Sequence, residues 1–309
     1  MHERPGMSIS HKPLNEQVIV MTGASTGIGL ATAELAAERG AAVVLVGRSE
    51  IELAIATARI RQRGGCVAGV AADVADQRHV AQIGIAAMSE FGRIDTWVNS
   101  AGLGICGPLR DQPPAGVRKL FDANFWSVVY GCNVAVEHMR STGGTIVNVG
   151  GAMSDRGAPL LGVSGAAKLA VRGYTDALRR EVEHHDLPIR VSLVETLDPP
   201  LVEQAPNGDN GRHDGPAACR PEDVAQAILA CAEKPVPEIA VDVPRLRLAI
   251  ATLAPRLTDV MMERQVQNQT KRDAVTTYTR AALADVSRAL PLVALGAIVA
   301  AGVAASRRP

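Results

Sequence analysis

The sequence predicts an α/β fold built on a doubly wound, parallel β-sheet. Short runs rich in Val and Ile alternate with longer helical stretches over most of the chain, as they do in such folds. The runs are continuous rather than alternating with polar residues, which is typical of strands buried on both faces of a parallel sheet. A glycine-rich segment, TGASTGIG, follows the first run and opens the first helix. These observations predict a single domain over residues 13–245 with a helical C-terminal extension over 246–309.

The elements follow in chain order. The first strand is QVIVMTG and the first helix GLATAELAAERG, and the second pair is AAVVLVGR with EIELAIATARIRQRGG. Glycines close both helices, as helix ends favour. The third pair is CVAGVAADV with DQRHVAQIGIAAMSEFG, and IDTWVNSAG is the fourth strand. One long helix over GVRKLFDANFWSVVYGCNVAVEHMR precedes strand GTIVNVGG. The remaining pairs place SGAAKLAVRGYTDALRREVEHH before IRVSLVE, and PEDVAQAILACAEK before PEIAVDV. The stretch 198–220, rich in Pro, Gly and Asp, is predicted to be a long loop.

Composition narrows the classes of partner. The 309 residues include 32 basic and 32 acidic side chains, a balance that argues against nucleic acid as the main partner. The five cysteines form no CxxC pair and no metal-ligand spacing, so we expect reduced thiols in a cytoplasmic protein and no metal site. The first residues hold no apolar segment typical of a signal peptide.

The glycine-rich segment predicts a site for a dinucleotide. Its glycines would let the backbone turn tightly and approach a pyrophosphate, and the helix N-terminus offers N–H groups and a positive dipole end. The strand–turn–helix context strengthens this prediction, and the spacing is GxxxGxG. The predicted contacts in the segment are Gly23, Ser25, Thr26, Gly27, Ile28 and Gly29.

The end of the second strand favours NADP(H) over NAD(H). An acidic residue near this point would hold the ribose 2′-hydroxyl of NAD. This chain has Gly47 and Arg48 instead, and an arginine can bind a 2′-phosphate through charge-assisted hydrogen bonds. The alternative is an ordinary exposed arginine.

Several motifs in combination resemble the short-chain dehydrogenase/reductase family over roughly residues 15–243. They are TGASTGIG, Asp73-Val74, NSAG at 99–102, Asn124, and IVNVGG leading to Lys168. The resemblance implies a Rossmann-type sheet and an oxidoreductase that acts on an alcohol or carbonyl compound. It places Asp73 and Val74 by the adenine. It also places Asn99, Ala101 and Gly102 under the ribose and nicotinamide, and Lys168 on the nicotinamide ribose. A homo-oligomer and a small-molecule substrate are implied as well.

The catalytic positions of the family are only half matched. The resemblance implies a proton relay of Asn, Ser, Tyr and Lys, and Asn124 and Lys168 match it. Ser164 stands at the Tyr position, four residues before the lysine, and Gly151 at the Ser position. The spacing keeps Ser164 and Lys168 on one helix face, but an aliphatic hydroxyl is far less acidic than a phenol. Ser164 is therefore a catalytic candidate with altered chemistry.

Two functions remain open at this point. The first is an NADP(H)-linked oxidoreductase with a weakened proton relay, in which Ser154 or a water molecule substitutes for the missing groups. The second is a non-catalytic nucleotide-binding sensor or scaffold. A further departure is Glu195, which stands where the family has a turn beside the nicotinamide.

The end of the chain carries a separate prediction. Residues 289–306 form eighteen uncharged positions flanked by arginines, barely the length of about 17–25 residues that a membrane-spanning helix needs. The alternatives are membrane contact through this segment, as an anchor or a surface helix, and an apolar helix that packs on a partner subunit or is left partly disordered.

Overall fold

Strands and helices alternate throughout the computed structural model, which describes residues 12–105, 107–151, 161–196 and 219–241. The strands are β1 (Val18–Thr22), β2 (Ala42–Gly47), β3 (Val67–Ala71), β4 (Thr96–Asn99), β5 (Gly144–Gly151), β6 (Ile189–Thr196) and β7 (Glu238–Val241). The α-helices are α1 (Gly27–Glu38), α2 (Glu50–Gln62), α3 (Gln77–Phe91), α4 (Pro114–Phe121), α5 (Ser127–Met139), α6 (Gly162–His184) and α7 (Pro221–Glu233).

All seven strands form one parallel sheet in the order β3-β2-β1-β4-β5-β6-β7. The chain order reverses between β1 and β4, and in open α/β sheets a ligand crevice lies beyond the carboxyl ends of the strands at such a point. The predicted doubly wound parallel sheet is confirmed. Its topology predicts a crevice at the carboxyl end of β1, where the TGASTGIG segment begins.

Helices cover both faces of the sheet. Helices α1, α2 and α7 enclose one hydrophobic cluster with side chains such as Ile19 and Leu45. On the other face α3, α5 and α6 enclose a second cluster, which holds Trp97 and Ile146. The five inner strands are buried almost throughout, as their continuous apolar runs predict.

The two outer strands differ from that prediction. In β3 and β7 most residues are partly or fully exposed. Each has a neighbouring strand on one side only. The apolar run was therefore a poor guide to burial at the sheet edges.

The long helix predicted before β5 contains an irregular turn. Helix α4 ends at Phe121, residues Asp122–Trp126 form a π-helical turn, and α5 begins at Ser127. The extra residue in such a turn changes which side chains face the sheet, and π-turns often occur at functional sites. Asn124 lies in the middle of this turn.

Polar contacts close the amino edge of the sheet. The carboxylate of Asp95 accepts hydrogen bonds from the backbone N–H of Val18 at 2.9 Å and from the side chains of Lys12 and Arg93. Gln17, just before β1, also contacts β4, since its side-chain oxygen accepts a hydrogen bond from the hydroxyl of Thr96. These groups therefore satisfy one another's hydrogen bonds at the amino ends of β1 and β4.

Some predictions concern residues outside the described ranges. They are the extension 246–309 with its apolar segment 289–306, the predicted loop 198–220 except for its last two residues, and Ser154. Within the described ranges, none of the helices has the length and apolar character needed to cross a bilayer.

Candidate nucleotide and active site

A cleft opens at the carboxyl ends of the central strands, where the chain order reverses. Among the predicted contacts, those whose residues line it are Gly23, Ser25, Thr26, Ile28, Gly29, Arg48, Asp73, Val74, Ala101, Gly102, Asn124, Ser164 and Lys168. The structure thus brings both the predicted nucleotide contacts and the predicted catalytic side chains to one place.

The glycine loop is shaped by close backbone approach. Gly23 has a φ of 67°, and a Cβ there would lie 2.7 Å from the Cα of Ala101. A Cβ on Gly29 would lie 2.8 Å from the carbonyl carbon of Gly23 and closer still to its oxygen. Side chains at either position would push the loop out of place. Gly27, with a φ of 56°, turns the chain into α1 but does not itself line the cleft.

The start of α1 fits an anion. Thr26 is the N-cap residue, and its side chain makes no capping hydrogen bond. N–H groups in the first turn have no partner within the helix, and the helix dipole adds partial positive charge there. With small residues around it, this turn has the donors and the space that a pyrophosphate needs.

The second end of the cleft is formed by residues that follow β2 and β3, the two strands on one side of β1. Arg48 follows β2 and is exposed at the cleft rim, and Asp73 and Val74 follow β3. The Asp73 carboxylate accepts a hydrogen bond from the backbone N–H of Ala75 at 3.1 Å, which fixes its turn. An exposed cation and a fixed carboxylate therefore stand together at the end predicted to hold the adenosine.

Thr22 is a site residue that sequence reasoning missed. It is buried at the end of β1, and its hydroxyl accepts hydrogen bonds from the backbone N–H groups of Ser100 and Ala101 while donating to Val98. This hydroxyl joins the two strands that flank the reversal and so sets the cleft floor. Its place directly before the glycine loop was the available signal.

Asn99, another predicted cofactor contact, lies apart from the others. Its side chain is buried and does not line the cleft. It donates to Asn148 at 2.8 Å and accepts from the indole N–H of Trp97 at 2.9 Å, and Asn148 in turn donates to Thr175. The contact of this residue with the cofactor stays a prediction, while its side chain is part of a polar network inside the core. Strand alternation explains this, because consecutive side chains point to opposite faces.

The thiol of Cys132 lies within the same network, 3.5 Å from the Asn99 side-chain nitrogen. Burial raises the pKa of this thiol to about 12, so it stays protonated at neutral pH.

The π-helical turn places Asn124 against the segment that follows β4. Its side-chain oxygen accepts from the backbone N–H of Leu103 at 2.6 Å, and its nitrogen donates to the Leu103 carbonyl at 2.8 Å. Asn124 is almost completely buried. Both polar atoms of the amide therefore hold one residue of the cleft wall.

Lys168 projects from α6 towards the same wall. Its Nζ donates to the carbonyl of Val149 at 3.1 Å, and the Cβ position of Gly102 lies 3.9 Å from that nitrogen. The ammonium is thus held at the ends of β4 and β5, at the opposite end of the cleft from Arg48.

Ser164 lies one turn before Lys168 in α6 and is 6% exposed. Its hydroxyl accepts a hydrogen bond from the backbone N–H of Ile105 and donates to the carbonyl of the same residue, both at 3.1 Å. Gly151, at the end of β5, is buried. Ser164 and Lys168 lie one turn apart in α6, as their spacing predicts, and the Ser164 hydroxyl is hydrogen-bonded to the Ile105 backbone.

The tyrosines in the described part of the chain lie elsewhere. Tyr174 packs edge-on against Phe125 with ring centres 6.1 Å apart, and burial raises the pKa of its phenol. Tyr130 stacks on Trp126. Neither aromatic pair includes a residue that lines the cleft.

Glu195 also differs from expectation. Its side chain is buried and forms an ion pair with Arg172 of α6, which reaches Glu238 of β7 at 2.9 Å as well. The next residue, Thr196, lines the cleft in its place. The carboxylate anticipated beside the nicotinamide therefore ties β6 and β7 to α6.

Among the described residues, no group of three or more His, Cys, Asp or Glu side chains converges as a metal site would. The site instead combines a glycine loop, an open helix N-terminus and a lysine–asparagine pair. Fold and site together define an α/β protein of the dinucleotide-binding class.

Comparison with known proteins identifies the family. The short chain dehydrogenase family model matches residues 17–204. The uncharacterized oxidoreductase YxnA of Bacillus subtilis is 39% identical over 260 residues, which cover 82% of this chain and 73% of that protein. The chain therefore belongs to the short-chain dehydrogenase/reductase family, a family of oxidoreductases.

Two solved structures with bound nucleotides are similar to this chain and belong to the same family. A short-chain dehydrogenase/reductase from Burkholderia phymatum, in complex with NAD, aligns with a TM-score of 0.71 and 25% identity, covering 82% of this chain and 96% of that one. A metagenomic short-chain oxidoreductase in complex with NADP aligns with a TM-score of 0.64 and 27% identity, covering 74% and 98%. These neighbours bind NAD in one case and NADP in the other.

Proposed function

We propose that this chain binds NADP(H) in the cleft and interconverts an alcohol and a carbonyl compound through a proton path that uses no phenol. The observation that carries this proposal is the convergence of Lys168 and Asn124 on the wall of a cleft whose other end holds the glycine loop and Arg48. A hydride-transfer enzyme of this family needs both parts of the cleft: a site that binds the nucleotide and a lysine at the other end.

The residues fit the cofactor as follows. The N–H groups at the start of α1 would bind the pyrophosphate, and Arg48 would bind the 2′-phosphate. Lys168 would donate to the hydroxyls of the nicotinamide ribose. The cofactor, when bound, supplies the hydride.

Proton transfer is the step that this chain must perform differently. In the reductive direction a hydride reaches the carbonyl carbon and a proton reaches its oxygen, which gives the alcohol. Lys168 is the cation placed to provide that proton, through a solvent molecule between Nζ and the substrate oxygen, and it regains a proton from solvent. Because neither tyrosine in the described part of the chain lies beside it, we expect rates about 10²–10⁴ below those of a complete relay.

A non-catalytic role, as a sensor or scaffold that binds the nucleotide, is the second candidate. It is favoured by the positions of Tyr130 and Tyr174, which pack against other aromatic rings, and by the engagement of the Ser164 hydroxyl with Ile105. Both candidates require nucleotide binding, so only turnover separates them.

The test measures turnover of a panel of aldehydes and ketones with NADPH. It compares the native protein and a double variant, each with and without Lys168→Ala. We expect the native protein to turn over slowly and Lys168→Ala to lose that turnover. Gly151→Ser with Ser164→Tyr should raise the rate about 10²-fold, and Lys168→Ala in that background should abolish the gain. Native turnover that does not depend on Lys168 would contradict the proposed proton path. Turnover only after both substitutions would favour the non-catalytic role.

A further inference from the structure

We infer that Ser164 is a positioning residue whose hydroxyl anchors the backbone of Ile105 and thereby holds the cleft wall at the nicotinamide end. This inference rests on the proposed function for its consequence, although the anchor itself is a property of the protein without ligand. It assigns a role to the position where the family's relay has a tyrosine.

The geometry of the anchor is complete at both polar atoms of one peptide residue. The Ser164 oxygen accepts from the Ile105 N–H and donates its own proton to the Ile105 carbonyl, each at 3.1 Å. The serine is 6% exposed, so water competes little for either bond. A single hydroxyl in α6 therefore fixes a residue 59 positions away in the chain.

A second anchor lies two residues earlier. Asn124 engages the N–H and the carbonyl of Leu103 in the same two-sided manner, at 2.6 and 2.8 Å. The two anchors come from different elements, the π-helical turn and α6. They hold alternate residues, Leu103 and Ile105, from the side where the relay of the family would act.

The segment needs such anchors because of its composition. Gly102 precedes Leu103, and Gly104 separates Leu103 from Ile105. Glycine has the largest backbone freedom to lose on ordering. Leu103 and Gly104 line the cleft. If Ile105 were released, the wall at Gly104 and Ile105 would gain freedom at the end where Lys168 projects.

The bonding also explains why Ser164 is a poor proton donor. Its one proton is directed to the Ile105 carbonyl, so donation to a substrate would break the anchor and leave a part-buried carbonyl unpaired. The hydroxyl at this position therefore serves geometry, and the proton path is left to Lys168.

The first experiment measures hydrogen exchange of the Ile105 amide by NMR in the protein without ligand. Ser164→Ala should speed that exchange about tenfold, which corresponds to about 1.4 kcal/mol, and Ser164→Thr should restore slow exchange because it keeps the hydroxyl. The Leu103 amide, held by Asn124, and the strand amides of β1 should be unchanged. Equal exchange at Ile105 in the native and Ser164→Ala proteins would overturn the anchor.

The second experiment compares NADPH with adenosine 2′,5′-bisphosphate, which lacks the nicotinamide half. Ser164→Ala should weaken NADPH binding about three- to tenfold and adenosine 2′,5′-bisphosphate binding less than twofold, with recovery in Ser164→Thr. Equal weakening of both ligands would contradict a positioning role at the nicotinamide end. If the native protein binds neither ligand, the proposed function fails while the exchange experiment still decides the anchor.

Discussion

Replacement of Arg48 tests how the cleft chooses between the two dinucleotides. Arg48 follows β2 at the rim of the cleft and is exposed, so a 2′-phosphate there would meet a guanidinium that water also reaches. Hydrogen bonds to charged groups contribute about 1.5–3 kcal/mol, and exposure favours the lower end of that range. We therefore expect Arg48→Ala to weaken NADPH binding about tenfold and to leave NADH binding within twofold.

The series extends in both directions. Arg48→Lys keeps the charge but loses the planar fork, so its NADPH affinity should lie between those of the native and alanine proteins. Arg48→Asp places a like charge beside the phosphate and should weaken NADPH further. Because the Debye length falls from about 10 Å at 0.1 M salt to about 3 Å at 1 M, the native preference for NADPH should shrink at high salt.

Calorimetric titration of both nucleotides measures these effects directly. Arg63 provides a matched control, since it is an exposed arginine paired with Glu38 away from the cleft, and Arg63→Ala should change neither affinity. If Arg48→Ala weakened NADH and NADPH equally, or neither, the assignment of Arg48 to the 2′-phosphate would be wrong.

Three further predictions concern the loop, the core and the thiols. Gly29→Ala should weaken NADPH binding at least tenfold, because its Cβ would meet the backbone of the glycine loop, whereas Gly173→Ala, in open space on α6, should raise the free energy of unfolding by about 0.5–1 kcal/mol. Asn148→Ala should lower the free energy of unfolding by about 3 kcal/mol in urea titrations, since it leaves buried polar partners unpaired. In native labelling at pH 8 read by mass spectrometry, exposed Cys66 should react and Cys132, whose pKa burial raises to about 12, should not.

Each of these has an outcome that counts against it. Native NADPH affinity in Gly29→Ala would show that the loop tolerates a side chain. A loss below 1 kcal/mol in Asn148→Ala would mean that the polar network contributes little, and rapid labelling of Cys132 would mean that its burial is transient.

The fold was predictable because its signal is repeated. Each inner strand is an apolar run covered on both faces, so the parallel sheet follows from the pattern of any three of them. The sheet edges were less predictable, since β3 and β7 carry similar runs but most of their residues are partly or fully exposed. The π-helical turn at Asn124 has no periodic signal, because it interrupts a helix whose sequence reads continuously on both sides.

The site was predictable where backbone geometry dictates residue type. At Gly23 and Gly29 the neighbouring backbone lies too close for any residue with a Cβ atom, so both positions could be predicted from the glycine spacing. Side-chain direction was not predictable in the same way, and Asn99 and Glu195 both turn away from the cleft. The partner of Ser164 was also hidden, since its contact with Ile105 joins segments that only the folded sheet brings together.

Both candidate functions depend on the claim that the cleft binds a dinucleotide. Calorimetric titration of NADPH into the native protein tests this claim directly. We expect one molecule bound per chain, displaceable by adenosine 2′,5′-bisphosphate, with an affinity above that for NADH. Absence of binding for both NADPH and NADH in a folded sample would contradict the claim.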